Sequence, residues 1–256
     1  MLSGIWLGAM LLFFAVSVRL SALAARPLEE SARREKQFIA DASHDLKTPL
    51  SVILANNAIL LENPEASVGS VRRCVDSTQE AAKRMQQLIS RMLTLADVER
   101  PDAALCIRPV DLAAIATKAA LEMESIAYEK GVTLETALPA ECTLRGNADY
   151  LQRIVSSLLE NALKYEPAGG RVQLTLIREK KKVRLSVQNF GSTTLEADLP
   201  HVFDRFYRSD KSRKSESGSF GLGLAITKEM AEKLGGEISV ASTAEAGTVF
   251  QVIFSL

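Results

Sequence analysis

Three kinds of hydrophobic spacing divide the chain. Met1–Val18 carries no charged side chain and includes Ile5, Trp6, Leu7, Leu11, Leu12, Phe13 and Phe14. Arg19 interrupts, and Leu20–Ala25 is apolar again. A spanning helix takes about 20 residues, so residues 1–25 are expected to form a transmembrane helix in contact with lipid, Arg19 reaching the interface along its own stem. Arg19, Arg26, Arg33, Arg34 and Lys36 follow the apolar run. The positive-inside rule then puts everything after it in the cytoplasm. A cleaved signal peptide is the rival, because Ala22-Leu23-Ala24 resembles a cleavage site, but no Lys or Arg precedes the apolar core. No sizeable extracellular segment is expected, so any sensor is minimal, intramembrane or outside this stretch of sequence.

Heptad spacing comes next, over residues 26–100. Arg26-Pro27 is expected to end the membrane segment, and Leu28 to about Leu61 reads as one helix with Ile39, Ala42, Leu46, Ile53 and Leu60 at three- and four-residue steps. Asn63-Pro64 signals a turn. A second helix, from about Ser67 to Glu99, carries Val71, Val75, Thr78, Ala82, Met85, Ile89, Met92 and Ala96 at alternating steps of four and three. Two such helices joined by a short connection make an α-helical hairpin. One hairpin offers too little surface for a continuous seam, so the expected form is a homodimer closing a four-helix bundle. A hairpin packed on the C-terminal domain is the alternative.

Residues 101–256 switch to mixed periods. Pro101–Arg108 reads as a linker, Asp111 as the N-cap of a helix reaching about Lys130, and Val132–Leu138 and Cys142–Arg145 as strands. Asn147 is expected to cap an amphipathic helix with Leu151, Ile154, Val155, Leu158, Leu159 and Ala162 on one face. Val172, Leu174 and Leu176, then Val183, Leu185 and Val187, alternate across Lys180–Lys182 as a hairpin. Asp198 to about Phe206 reads as a short helix, Ser209–Ser219 as a polar loop, and Leu222 to Leu234 as a helix closed by Gly235-Gly236. Two strands end the chain, with Phe250, Val252 and Phe254 alternating. Helices interleaved with mostly antiparallel strands predict an α/β two-layer sandwich.

Composition narrows the chemistry. With 47% apolar residues the chain can bury a core, and 31 basic residues balance 31 acidic ones. That balance gives no global case for nucleic-acid binding. Cys74, Cys106 and Cys142 are too far apart for a metal or redox motif and read as reduced thiols.

Only two histidines are present. On a helix, Ala42 and Leu46 lie about 40° apart and His44 about 180° from their mean direction. His44 therefore faces solvent rather than a core. Thr48 shares its face at i+4, and Asp45 could accept from one ring nitrogen, leaving the other as a nucleophile. Pro49 removes a helical N–H and predicts a kink beside His44. A plain surface histidine is the bland alternative, and His201 reads as one.

His44-Asp45-Leu46-Lys47-Thr48-Pro49-Leu50 closely resembles the phospho-acceptor box of bacterial sensor histidine kinases. The resemblance implies phosphorylation of His44, Asp45 as its acid/base partner, and a part for Thr48 in dephosphorylating a response regulator. Further along, Glu160-Asn161 on the polar helix face can offer oxygens to Mg²⁺, with Lys164 and Tyr165 following. Gly218, Gly221, Leu222 and Gly223 form a glycine-rich loop that opens a helix, where backbone N–H groups can meet phosphate. Arg208, Lys211, Arg213 and Lys214 precede the loop as a possible lid.

These segments resemble the ATP-binding domain of the same kinases, shared with the Hsp90, MutL and gyrase ATPases (the GHKL type). Leu158–Tyr165 looks like the N box, Phe203–Tyr207 the F box, Gly221–Leu224 the second glycine box and Gly247-Thr248 the last glycine element. The resemblance implies Mg–ATP bound by Asn161, Lys164, Tyr165, Asn189, Gly191, the glycine loop and Thr248, with Asn161 and Glu160 at the metal. It also implies a homodimer in the bacterial cell membrane with a cognate response regulator as partner.

Asn189 stands where the family usually has Asp, the following second glycine is absent, and Ser157 stands where another Asn is frequent. Those departures motivate an alternative, a nucleotide-impaired pseudokinase acting mainly as a regulator phosphatase. A non-kinase ATPase would need no exposed nucleophilic histidine, and a membrane-anchored scaffold without chemistry would leave the glycine loop unexplained.

Overall fold

The structure is a computed structural model that describes residues 2–63, 65, 67–100, 105–208 and 220–256, with only some side chains before residue 35. It divides into two compact units, Met1–Ala82 and Lys83–Leu256, and the division falls inside the second long helix.

In the first unit, α1 runs without interruption over Leu2–Glu62, and α2 (Val68–Glu99) begins after a short connection. The break expected at Arg26-Pro27 is not there; the backbone stays helical through it. One proline removes a single N–H, which deforms a helix without ending it when the residues around it favour helix. Most side chains of the expected membrane span lie outside the described residues, and among the described residues no helix is long and apolar enough to cross a membrane. Trp6, Met10, Phe13, Phe14 and Leu20 are exposed.

The apolar stripe of α1 falls where the spacing put it except at the exposed Ile39, whereas that of α2 sorts differently. On α1, Ala42 and Pro49 are buried, and Leu46, Ile53, Asn56 and Leu60 half-buried. Asn56 Nδ2 donates to Thr78 Oγ1 on α2 at 3.3 Å. On α2, the most buried positions are Ala81, Leu88, Leu95 and Val98, with Cys74, Ser77, Arg84 and Arg91 half-buried between them. That stripe keeps the heptad rhythm but is displaced by one residue from the expected seam. In the expected seam Val71, Val75 and Ile89 are exposed at 37%, 49% and 45% while Thr78, Met85 and Met92 are half-buried, so the chain's own packing covers this second stripe only in part.

In the second unit a two-stranded antiparallel ribbon, β1 (Arg108–Asp111) and β3 (Thr143–Gly146), sits beside a five-stranded sheet. The sheet runs β2 (Thr133–Ala137), β4 (Arg171–Arg178), β5 (Lys182–Asn189), β7 (Gly247–Ser255), β6 (Gly236–Thr243). Only β2 and β4 are parallel; the other neighbours are antiparallel. Helices α3 (Leu112–Glu129), α4 (Ala148–Tyr165) and α5 (Gly223–Lys233) form the second layer, α4 lying between the other two and against the sheet. The two-layer α/β sandwich expected from the sequence is therefore the observed fold.

Local chemistry explains the helix starts. Asp111 accepts from Ala113 N at 3.0 Å and from Cys142 N at 2.9 Å, so one carboxylate caps α3 and pins β3. Asn147 accepts from Tyr150 N at 3.0 Å to cap α4. Arg108, read as linker, opens β1, because the pairing partner that makes it a strand comes from a distant segment. The expected helix over Asp198–Phe206 is a single 3-10 turn, Leu199–His201. Pro200 at its start and Phe206 at φ +59° suit a tight, irregular path better than a longer helix.

The apolar face of α4 is fully withdrawn from water at Leu151, Ile154, Val155, Leu158, Leu159 and Ala162. Leu158→Ala is expected to cost about 2–5 kcal/mol by removing contacts and leaving a void, read as a lowered midpoint in chemical denaturation.

Candidate functional site

Two groups of side chains stand out, one in each unit. In the first, His44 is 82% exposed on α1, and its Nδ1 lies 3.4 Å from Asp45 Oδ1. That arrangement directs Nε2 away from the carboxylate. Thr48 Oγ1 donates to the His44 carbonyl at 3.4 Å, so it is tied to the helix backbone rather than to the imidazole.

The second group surrounds a cleft of about 290 Å³ in the second unit. The polar face of α4 supplies Glu160, Asn161, Lys164 and Tyr165, and the start of α5 supplies Gly221, Gly223 and Leu224. Amphipathy produces this directly: the same helix that buries Leu158 and Leu159 in the core must present Glu160, Asn161 and Lys164 on its other side. Gly221 has φ +69°, and a Cβ there would lie 2.6 Å from Phe206 C and from Tyr207 O. Only glycine fits, and Phe206 N donates to the Gly221 carbonyl at 3.1 Å. Leu222 precedes the first residue of α5 without a side-chain cap, which leaves first-turn N–H groups available to an anion. Its own side chain is fully buried and does not line the cleft.

Charge in the cleft is lopsided. Arg91, Lys164 and Arg208 line it against one carboxylate, Glu160. Burial, followed by the neighbouring charges of Arg208, Arg91 and Lys130, lowers the Lys164 ammonium from 10.5 to about 8. Lys164 Nζ also lies 5.0 Å from the centre of the Tyr165 ring. Among the described residues no three His, Cys, Asp or Glu side chains cluster as a metal cage. Glu160 and Asn161 offer hard oxygens from adjacent positions, a set that suits Mg²⁺ when phosphate and water complete its shell.

The remaining candidates form a separate polar cluster. Asn189 and Thr248 are cross-strand partners, and both are buried. Asn189 Nδ2 donates to Ser192 Oγ at 2.6 Å and to its carbonyl at 3.3 Å, and Thr248 Oγ1 donates to the same carbonyl at 3.1 Å. Gly247 has φ +72°, and a Cβ there would lie 2.1 Å from the Asn189 carbonyl oxygen. Gly218 and the basic residues Lys211, Arg213 and Lys214 lie outside the described residues.

Some functional neighbours left little trace in the sequence. Glu166 is 4% exposed and accepts from Gly191 N at 2.9 Å and from Arg171 N at 3.0 Å, fixing the loop after β5 to the end of α4. It has no periodic signature. Ser157 lies 2.8 Å from Thr227 Oγ1, which donates to the Gly223 carbonyl at 2.9 Å and joins α4 to α5. Tyr207 lines the cleft while its hydroxyl donates to Asp198 at 2.5 Å. His201 pairs with Asp204 at 2.8 Å and is 56% exposed, in keeping with a surface histidine. Arg91 left little signal: it stands with Arg84 on the stripe of α2 that buries Ala81, Leu88 and Leu95, a stripe the spacing alone did not single out.

Residues 34–101 match the His Kinase A (phospho-acceptor) domain family, and residues 146–256 match the histidine kinase-, DNA gyrase B-, and HSP90-like ATPase family. The sensor histidine kinase RppB of Synechocystis sp. is 32% identical over 93% of this chain and 53% of its own length. The probable sensor protein PcoS of Escherichia coli is 34% identical over 83% of this chain and 45% of its own. The chain thus spans about half the length of these relatives. Among solved structures, full-length ShkA in complex with AMPPNP aligns with TM-score 0.62 at 25% identity, covering 86% of this chain and 45% of that one. Histidine kinase ThkA in complex with the response regulator protein TrrA aligns with TM-score 0.69 at 16% identity, covering 89% and 65%, a likeness of fold. A phospho-acceptor domain followed by an ATPase domain, in a chain that matches a named sensor histidine kinase along 93% of its length, means that the chain belongs to the sensor histidine kinases of two-component systems.

Proposed function

We propose that the chain autophosphorylates His44 from Mg–ATP and passes the phosphoryl group to an aspartate of a response regulator. The observation that carries this reading is a cationic, glycine-edged cleft in the same chain as an exposed histidine paired with Asp45. The triphosphate lies along Lys164, Arg208 and the start of α5, where the uncapped N–H groups and excess positive charge favour it. Asn161 and Glu160 hold Mg²⁺, which neutralises phosphate charge when bound. Asn189, with Gly191 and Thr248 beside it, receives the base through its amide oxygen, since the amide nitrogen is spent on Ser192.

Nε2 of His44, its lone pair free because the proton sits on Nδ1 beside Asp45, attacks the γ-phosphorus. The N–P bond forms as the bond to the bridging oxygen breaks, and ADP leaves with that electron pair. Asp45 stabilises the imidazolium and takes its proton. The response regulator docks on the face that carries His44 and Thr48, and Thr48 serves the reverse, hydrolytic direction.

The second stripe of α2 supports a homodimer, because Val71, Val75 and Ile89 sit at its heptad positions and are exposed. Residues 1–25 anchor the dimer in the bacterial cell membrane with the catalytic part cytoplasmic; the exposed Trp6, Phe13 and Phe14 and the basic residues that follow support this. A second reading, a mainly phosphatase-type pseudokinase, draws on Asn189, which brings no charge to the base. Nucleotide binding separates the two.

Wild type incubated with γ-labelled Mg–ATP is expected to acquire acid-labile, alkali-stable label, and His44→Gln to acquire none; label retained by the variant would refute the assignment. Lys164 is charged in the free protein only below about 8. Bound phosphate favours the charged form, so binding above that pH must take up a proton, and ATP affinity is expected to fall as pH rises through about 8. Lys164→Met should weaken binding and flatten that part of the profile in calorimetry. Val75→Asp with Ile89→Asp should shift the protein from dimer to monomer in sedimentation velocity.

A further inference from the structure

The cleft contains one residue that the ATPase fold does not supply. Arg91 comes from α2, three residues after Leu88 and four before Leu95, which are 0% and 1% exposed. Those two leucines fix the rotation of α2 and turn the Arg91 face toward the start of α5. Arg91 Nη1 lies 3.6 Å, and Ser157 Oγ 3.7 Å, from the point that a Cβ on Gly223 would occupy. Arg91 forms no ion pair among the described residues, and Lys164 and Arg208 share its cleft. A half-buried guanidinium beside two further cations and without a carboxylate partner is unfavourable until an anion arrives.

The end of α2 is also latched. Glu99 pairs with Arg205, and Lys233 donates to the Arg100 carbonyl, so the turns beyond Arg91 are tied to the segment before the glycine loop and to the end of α5. Burial raises the Glu99 carboxyl above its ordinary range despite Arg205 beside it.

We infer that Arg91 is a polyphosphate ligand, so that the nucleotide site is completed by α2 and not by the ATPase fold alone. This rests on the reading of the cleft as a nucleotide site and adds a cation to it from outside that fold. A guanidinium offers phosphate two parallel donors, and its neighbours Lys164 and Arg208 make the cleft selective for a highly charged group. Nucleotide binding and the docking of α2 are then one linked equilibrium: each favours the other by the same factor.

The test uses the full chain in detergent micelles, with calorimetric titration of Mg–ATP and, separately, of adenosine. Arg91→Gln is expected to weaken Mg–ATP by tenfold or more and to leave adenosine within twofold of wild type, which also reports an intact fold. Arg91→Lys should stay within about fivefold of wild type for Mg–ATP, because it keeps the charge but loses the fork. The inference is overturned if Arg91→Gln binds Mg–ATP within twofold of wild type, or loses adenosine to the same extent. If Arg91→Gln binds normally while Lys164→Met does not, the nucleotide site stands and Arg91 alone is excluded from it. If wild type binds neither ligand, the nucleotide reading falls and the inference with it.

Discussion

Burial of one face of α4 against the sheet sets the geometry of the catalytic unit. Leu151, Ile154, Val155, Leu158 and Leu159 have no exposed surface, and each fully buried aliphatic side chain of this kind contributes about 1.5–3 kcal/mol. The helix therefore cannot rotate without exposing several of them. Its other face is fixed with equal firmness, and that face carries Glu160, Asn161 and Lys164 into the cleft. Glu166 then ties the end of the helix to Gly191, so the core packing and the cluster around Asn189 are held by the same element.

The cleft is electrostatically unfinished in the free protein. Lys164 is pushed down to about 8 by burial and by neighbouring positive charge, and an environment that disfavours a cation is one that a phosphate repairs. In the other unit the opposite holds: His44 sits in solvent with one carboxylate beside it, free to be approached by a separate body. One site is a cleft held by packed helices and the other an exposed imidazole on a helix surface, an arrangement that suits the phosphotransfer proposed above.

Periodicity read the fold well where burial followed a single pattern. The face of α4, the alternation in β4, β5 and β7, and the caps Asp111 and Asn147 could all be placed from sequence, because each depends on residues close to one another in the chain. The readings that changed depend on distant partners. Two heptad stripes lie side by side on α2, and spacing alone could not say which one the chain buries on itself. β1 needed β3 before Arg108 could count as strand. Glu166 needed the backbone of Gly191 and Arg171, and nothing in Tyr165-Glu166-Pro167 announces such a partner. His44 was readable because a helix fixes its direction within a few residues, and the same is true of Lys164. Arg91 was not singled out, because the spacing favoured the neighbouring seam and Arg84 stands on the same stripe.

The bond from Phe206 N to the Gly221 carbonyl closes the intervening segment at its neck. Loop-closure entropy grows only with the logarithm of length, so doubling such a segment costs about 0.6 kcal/mol. With both ends pinned by Gly221 and by the left-handed Phe206, residues can be added or lost between them without disturbing α4, α5 or the cleft floor. This is the place in the second unit where a change of length costs the packed core least.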